Sequence, residues 1–229
     1  MKKILFTIVV FLVFSVNAQT NISNNLGDFS ILKVFNGIEV ELIKSSEQKI
    51  EISGKNADKV SIKNIDNTLK ISLPLSIKLN KNVPDDDLLV TIFYNKNIDI
   101  VDANEGATIT AKKIKQDKLE VNSQEGAFIN LVVDVNHIEV RASSGGIVKL
   151  TGITNSQNVD LDLYGIYEGF ALESSTISIV KAGTGAKAEI MAGQTLNAKV
   201  NFGGSIFYKG SPNIVKDKKV MGGIIQKRD

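Results

Sequence analysis

Six glycine phrases recur at a nearly constant interval, and that interval limits most strongly what this chain can fold into. Glu105-Gly106-Ala107-Thr108-Ile109, Glu125-Gly126-Ala127-Phe128-Ile129 and Ser144-Gly145-Gly146-Ile147-Val148 are near copies of one another. Weaker copies follow at Tyr164-Gly165, Thr184-Gly185-Ala186 and Phe202-Gly203-Gly204-Ser205-Ile206. The glycines at 106, 126, 145, 165, 185 and 203 stand 20, 19, 20, 20 and 18 residues apart. A fixed period of this size marks a solenoid, in which each repeat buries its apolar face only against its neighbours.

Each glycine follows a short alternating run: Ile98-Asp99-Ile100, Leu119-Glu120-Val121, Ile138-Glu139-Val140, Val159-Asp160-Leu161, Ile177-Ser178-Ile179 and Leu196-Asn197-Ala198. Alternation is the period of a half-buried strand. A second short run follows the glycine, as in Ile109 with Ala111 or Ile129 with Leu131. No long 3.6-residue period and no Leu-x-x-Leu-x-Leu signature recurs, which sets aside helical and leucine-rich repeats. The expectation is an all-β, single-stranded β-helix (a β-solenoid) of about six coils of 18–20 residues over residues 98–210. The glycine is read as a corner needing positive φ or close backbone approach. Gly126→Val is therefore expected to destabilise more than Lys118→Val.

The start of the chain reads as an export signal over residues 1–18. Lys2 and Lys3 precede an apolar run from Ile4 to Phe14, and Val16-Asn17-Ala18 is a small-residue cleavage site before Gln19. The run is short for a spanning helix, so no stable transmembrane anchor is expected. The chain has no Cys, which excludes disulfides, thiolate metal sites, a Cys nucleophile and lipoprotein acylation. A large solenoid core needs no disulfide staples. With a formal charge of +2 and no basic face, nucleic acid is not an expected partner.

Residues 19–33 read as a polar leader, and 34–97 as an irregular N-terminal β part of the same domain. In it Ile38 to Leu42, Lys49 to Gly54, Val60 to Ile62 and Leu69 to Leu73 alternate, with a bend at Asp66-Asn67. This part is either a first set of coils or a small sandwich capping the rod, since a bare coil end would expose strand edges. Pro74, Pro84 and Asp85-Asp86-Asp87 mark a turn-rich insertion. Residues 211–229 are read as a C-terminal cover that closes the far end of the core.

Phe35-Asn36-Gly37-Ile38-Glu39-Val40, the Leu69-Lys70-Ile71 strand, the repeated Gly-Ala phrases and the closing Tyr208-Lys209-Gly210-Ser211-Pro212-Asn213 together resemble the auto-transporter adhesin, head GIN domain family. The resemblance runs from about Phe35 to the C-terminus. It implies a right-handed β-helix and an exported, adhesin-like protein of Bacteroidetes-type bacteria, with no catalytic residues to carry over. The family usually shows Ser-Gly-Ala-Ser where this chain has Glu-Gly-Ala.

No catalytic constellation, metal site or cofactor is expected. His137, the only histidine, has no triad or ligand partners in sequence and is placed in a turn before Ile138. Asp85-Asp86-Asp87 lacks the ligand spacing of a Ca²⁺ loop. Glu105 and Glu125 are expected to stack one coil apart, with Ser144, Tyr164, Thr184 and Phe202 continuing the rung. Tyr164 and Tyr167, with Phe170, form the one mid-chain aromatic cluster, which could grip a sugar ring or fill the interior. Glu105, Glu125, Tyr164 and Tyr167 are accordingly the candidate binding residues. The functional expectation is a non-catalytic, periplasmic or surface module presenting a long face to glycan or another surface protein. The alternatives are a polysaccharide-active lyase or hydrolase on a β-helix, and a structural protein that forms homo-oligomers by end-to-end stacking.

Overall fold

The computed structural model describes residues 21–74 and 88–229. The export signal, the first residues of the leader and the Pro84 and Asp85-Asp86-Asp87 insertion lie outside the described residues. The rest is an all-β solenoid of about seven turns with irregular N-terminal strands. Its strands in chain order are β1 (Asn21–Asn25), β2 (Ile31–Val34), β3 (Glu39–Lys44), β4 (Lys49–Ser53), β5 (Ser61–Ile65), β6 (Thr68–Ser72), β7 (Leu89–Tyr94) and β8 (Ile100–Ala103). The repeats continue as β9 (Thr108–Gln124), β10 (Phe128–Ser143), β11 (Ile147–Leu161), β12 (Ile166–Ala182), β13 (Lys187–Met191), β14 (Thr195–Asn201), β15 (Ser205–Lys209), β16 (Ile214–Val220) and β17 (Ile224–Lys227).

Each turn has two walls. The first half of a long strand belongs to wall A and the second half to wall B: β9 pairs with β3 through Thr108–Ala111 and with β8 through Glu120–Ser123. A glycine corner carries the chain from wall B into wall A of the next turn. From β9 to β17 every ladder is parallel and each turn lies on the one before it.

The corners are β-turns closed by i→i+3 hydrogen bonds, such as Ala107 N to Asn104 O at 3.0 Å and Gly204 N to Asn201 O at 3.0 Å. Both central residues have positive φ at Glu105-Gly106, Glu125-Gly126, Ser144-Gly145, Leu163-Tyr164 and Phe202-Gly203. The same pattern, that of a type I′ turn, occurs at Asn36-Gly37 and Met221-Gly222, flanking the six expected repeats. The fourth corner corrects the sequence alignment by one residue: Tyr164 takes the glycine's place and Gly165 comes after it. At that next position a Cβ would meet backbone, for Gly165 at 2.2 Å from the Ala142 carbonyl oxygen.

The N-terminal part settles as coils plus antiparallel additions. β2 lies between β6 and β8, and β3 between β7 and β9, all parallel. The turn formed first in the chain is therefore inserted between two formed later. Outside it, β4 runs antiparallel to β7, β1 antiparallel to β4, and β5 antiparallel to β6 through the Asp66-Asn67 turn, whose residues both have positive φ.

The interior is a mainly apolar column in which residues three and five places before a corner's second residue point inward. These are Val121 and Ser123, Val140 and Ala142, Val159 and Leu161, Val180 and Ala182, and Ala198 and Val200, all buried. That phase corrects two runs. In the fifth repeat Ser178 and Val180 are inside, while Ile177 and Ile179 face out, and Ile100 is likewise turned out of the core. The phase is constant from turn to turn: Ile100 and Ile179 stand six places before their corners' second residues, in register with outward Glu120 and Glu139. The tail continues the coil, with β16 and β17 lying on β14 and β15, and Leu196, Val200 and Ile206 are buried. Inward positions of β16 in register with Leu196, Ala198 and Val200 are Val215, Asp217 and Lys219, so the apolar column passes into charge there.

Candidate functional site

The outer face of wall B, at the end next to the bend, holds a groove of about 440 Å³. Two columns of side chains form it. Lys118, His137, Ser156 and Ile177 stand in register in one, and Ile100, Glu120, Glu139, Asn158 and Ile179 in the other. The outward isoleucines leave apolar surface at both ends, with polar groups between. Ile179 is 36% exposed.

Glu120 and Glu139 are in-register neighbours, and like charges so placed repel. Arg141, in the next column, offsets this by reaching Glu120 Oε1 at 2.6 Å and Glu139 Oε1 at 2.5 Å. Both carboxylates thus accept from one guanidinium. His137 lies inside β10, not in a turn, and its Nδ1 is 2.7 Å from Ser156 Oγ. Among the described residues no carboxylate is hydrogen-bonded to its ring, so the third member of a nucleophilic triad is missing. No group of three or more His, Asp or Glu side chains among the described residues is arranged to hold a metal ion.

The candidate binding residues from sequence fall elsewhere. Glu105 and Glu125 are exposed at the tips of adjacent corners, linked by Gly106 N to Glu125 O at 3.0 Å. They form the expected rung with Ser144, and Leu163 continues it in place of Tyr164. The corners sit at the far end of wall B, five residues or roughly 16 Å from the groove at 3.3 Å per residue. Tyr164 is 67% exposed, and its ring lies over Gly185, where a Cβ would come within 2.6 Å of it.

Tyr167 is not a surface residue. Its side chain is fully buried on wall A, in register between Val148 and Ala188. Gly169 leaves room for the ring, since a Cβ there would meet it at 2.5 Å. The hydroxyl donates across the interior to Gln157 Oε1 at 3.1 Å, and Gln157 Nε2 donates to Ser178 Oγ and to Met191 O, each at 3.1 Å. Burial pushes the Tyr167 phenol well above its ordinary range, because the phenolate would lose its water. A ring held this way braces the two walls and meets no ligand.

Sequence reasoning missed the groove because alternation alone does not show that Ile100, Ile177 and Ile179 face outward. Counting back from the corner would have turned Ile100 and Ile179 outward. It also missed a polar ladder in the bend. Asn136 Nδ2 donates to Asp117 Oδ1 at 2.7 Å, Asn155 Nδ2 to Asn136 Oδ1 at 2.9 Å, and Ser175 Oγ to Asn155 Oδ1 at 3.0 Å. The signal was present, since these residues repeat every 19 or 20 positions, in step with the glycines.

Comparison with known proteins agrees with this architecture. A crystal structure of a putative adhesin from Bacteroides fragilis aligns with a TM-score of 0.80 at 18% identity, covering 93% of this chain and 98% of that one. One of a putative adhesin from Parabacteroides merdae aligns with a TM-score of 0.66 at 19% identity, over 93% and 98% of the two chains. At such identities the likeness is one of fold. No curated protein matches the chain. No helix among the described residues is long and apolar enough to cross a membrane. By the match of its family model over residues 28–212, the chain belongs to the family described as "Putative auto-transporter adhesin, head GIN domain".

Proposed function

We propose that the chain is an exported, non-catalytic, adhesin-like binding module whose ligand site is the wall B groove, with an uncharged cell-envelope glycan as ligand. The observation that carries this reading is the set of outward isoleucines, Ile100, Ile177 and Ile179, enclosing a polar centre whose carboxylates Arg141 already occupies. Apolar ends suit the C–H faces of sugar rings, and Ser156, Asn158 and Lys118 offer hydrogen bonds to hydroxyls. A rigid stack of turns adds weak contacts along one strand of ligand.

A glycan array probed with the chain from Gln19 onward tests it. Ile100→Ser with Ile179→Ser is expected to weaken a hit about tenfold or more, as removal of two central apolar contacts does. Glu105→Ala with Glu125→Ala is expected to leave it unchanged. Loss through the glutamate pair alone would move the site to the corner. Export is tested by the N-terminus of the secreted form, expected at Gln19.

One observation favours a second reading, a polysaccharide-active enzyme: the 2.7 Å contact of His137 with Ser156. Product release from a bound glycan that Ser156→Ala abolishes would establish it.

A further inference from the structure

The corners divide into two chemistries along the rod. The first three repeats carry Glu105, Glu125 and Ser144 at their tips. Later tips carry Leu163 and Tyr164, then, beyond Thr184, Phe202 and Met221; these four apolar residues are 49%, 67%, 57% and 73% exposed. All four hold positive φ, at 44°, 64°, 46° and 55°, a conformation uncommon for bulky side chains. Gly203 and Gly222 beside Phe202 and Met221 have open space where a Cβ would be. Strained turns thus hold large apolar side chains outward on a convex edge, spread over about 14 Å of rod at the inter-strand spacing.

The flanking column changes one turn further along. Four residues before the corner's second position, on the outer face of wall B, the early turns have Asp102, Asn122, Arg141 and Asp160. The later turns have Lys181, Lys199 and Lys218, in register. Like charges directly opposite one another are destabilising. Lys181 has Asp160 at 3.6 Å, but among the described residues Lys199 and Lys218 have no ion-pair partner. Between residues 181 and 229 nine Lys and Arg stand against three Asp and Glu, in a chain whose net charge is +2. Repelling lysines beside protruding Leu, Tyr, Phe and Met complement a surface that is apolar within and anionic at its face. Neither a soluble glycan nor a small anion meets both features.

We propose that this corner docks the protein on an anionic lipid surface. Leu163, Tyr164, Phe202 and Met221 enter the boundary between headgroups and acyl chains, and Lys181, Lys199 and Lys218 meet the headgroup charge. Two weak signals together give reversible attachment, and the wall B groove, on the same wall but beyond the headgroup plane, stays open to its ligand.

The test is co-sedimentation of the chain from Gln19 onward, which holds every described core residue, with vesicles of equal phosphatidylglycerol and phosphatidylcholine. Binding is expected there, with loss of about tenfold or more on pure phosphatidylcholine or in high salt. Leu163→Asn with Phe202→Asn is expected to abolish it. Asn tolerates positive φ, so this variant keeps its fold, checked by an unchanged or raised melting temperature. Lys199→Glu with Lys218→Glu is expected to weaken binding by about tenfold. No vesicle binding by the parent chain, or binding unchanged by the Asn pair, would overturn the proposal. If the parent instead forms dimers that the Asn pair dissociates, the corner joins two copies and the lipid proposal falls. Glycan binding by the same variants reports on the groove separately, so the two proposals fail independently.

Discussion

The early and late turns share one scaffold and differ in what they show to solvent. At Glu105, Glu125 and Ser144 the tips are polar, and the flanking column mixes signs, with Arg141 holding two glutamates. At Leu163, Phe202 and Met221 the tips are apolar, and from Lys181 onward the column is lysine. The backbone corner is the same type I′ pattern in both. Geometry and chemistry are therefore separable in this fold: the corner's hydrogen bonds are made by main chain, so its first position accepts any side chain able to bear positive φ.

The largest effects should come from breaking what both halves share. Gly204 would bring a Cβ to 2.2 Å from the Ala182 carbonyl oxygen, whereas Gly203 has open space and a φ of 81°. Gly204→Val is expected to cost about 3 kcal/mol by forcing turns apart. Gly203→Ala should cost about 1–2 kcal/mol, from backbone alone. Thermal unfolding of the pair checks this, and equal costs would mean that close stacking of turns is not what the second glycine serves. Gly126, with φ of 72° and open space, belongs with Gly203.

Tyr167 comes next, because it ties wall A to wall B where the two halves meet. Tyr167→Phe leaves Gln157 Oε1 without its donor and should cost about 1–3 kcal/mol. The pH dependence has a definite sign. Burial raises the folded-state pKa above the unfolded one, so the folded state binds the proton more tightly. The stability this represents is complete below the unfolded value of about 10 and is lost as pH rises beyond it. Alkaline unfolding is expected to begin above about pH 10, and Tyr167→Phe should shallow its slope in a titration followed by circular dichroism.

The smallest effects sharpen the comparison itself. Phe202→Asn should raise stability by up to about 1 kcal/mol by relieving positive φ at a bulky residue. Lys199→Glu turns a repelling column into an alternating one and should add about 0.2–1 kcal/mol, most at low salt. The corresponding reversal at Arg141, which already has two acidic partners, should destabilise instead. If both reversals moved stability the same way, the charge columns of the two halves would not differ in kind.

The glycine period, the two-residue corners, the strand character of every run and the Asp66-Asn67 turn were all legible in the sequence. They rest on local conformation: positive φ at fixed intervals and alternation between them. The candidate site was legible only in part. Glu105, Glu125 and Tyr164 lie on exposed corners, Tyr167 is interior, and nothing in the alternating runs marks the isoleucines that line the groove as outward. Alternation gives a strand two faces without saying which is inside; that is set by each residue's distance from its corner.

The sequence by itself determined that the chain coils, where it turns, and that its late corners carry apolar tips, because these depend on residues close together in the chain. Only the tertiary structure decided that the turn of β2 and β3 sits between those of β6 with β7 and β8 with β9, that Ile100 and Ile179 share a groove, and that Lys181, Lys199 and Lys218 form one column. Those are statements about which turn stacks on which, and stacking is set by burial of the common core and by the register of backbone hydrogen bonds between turns.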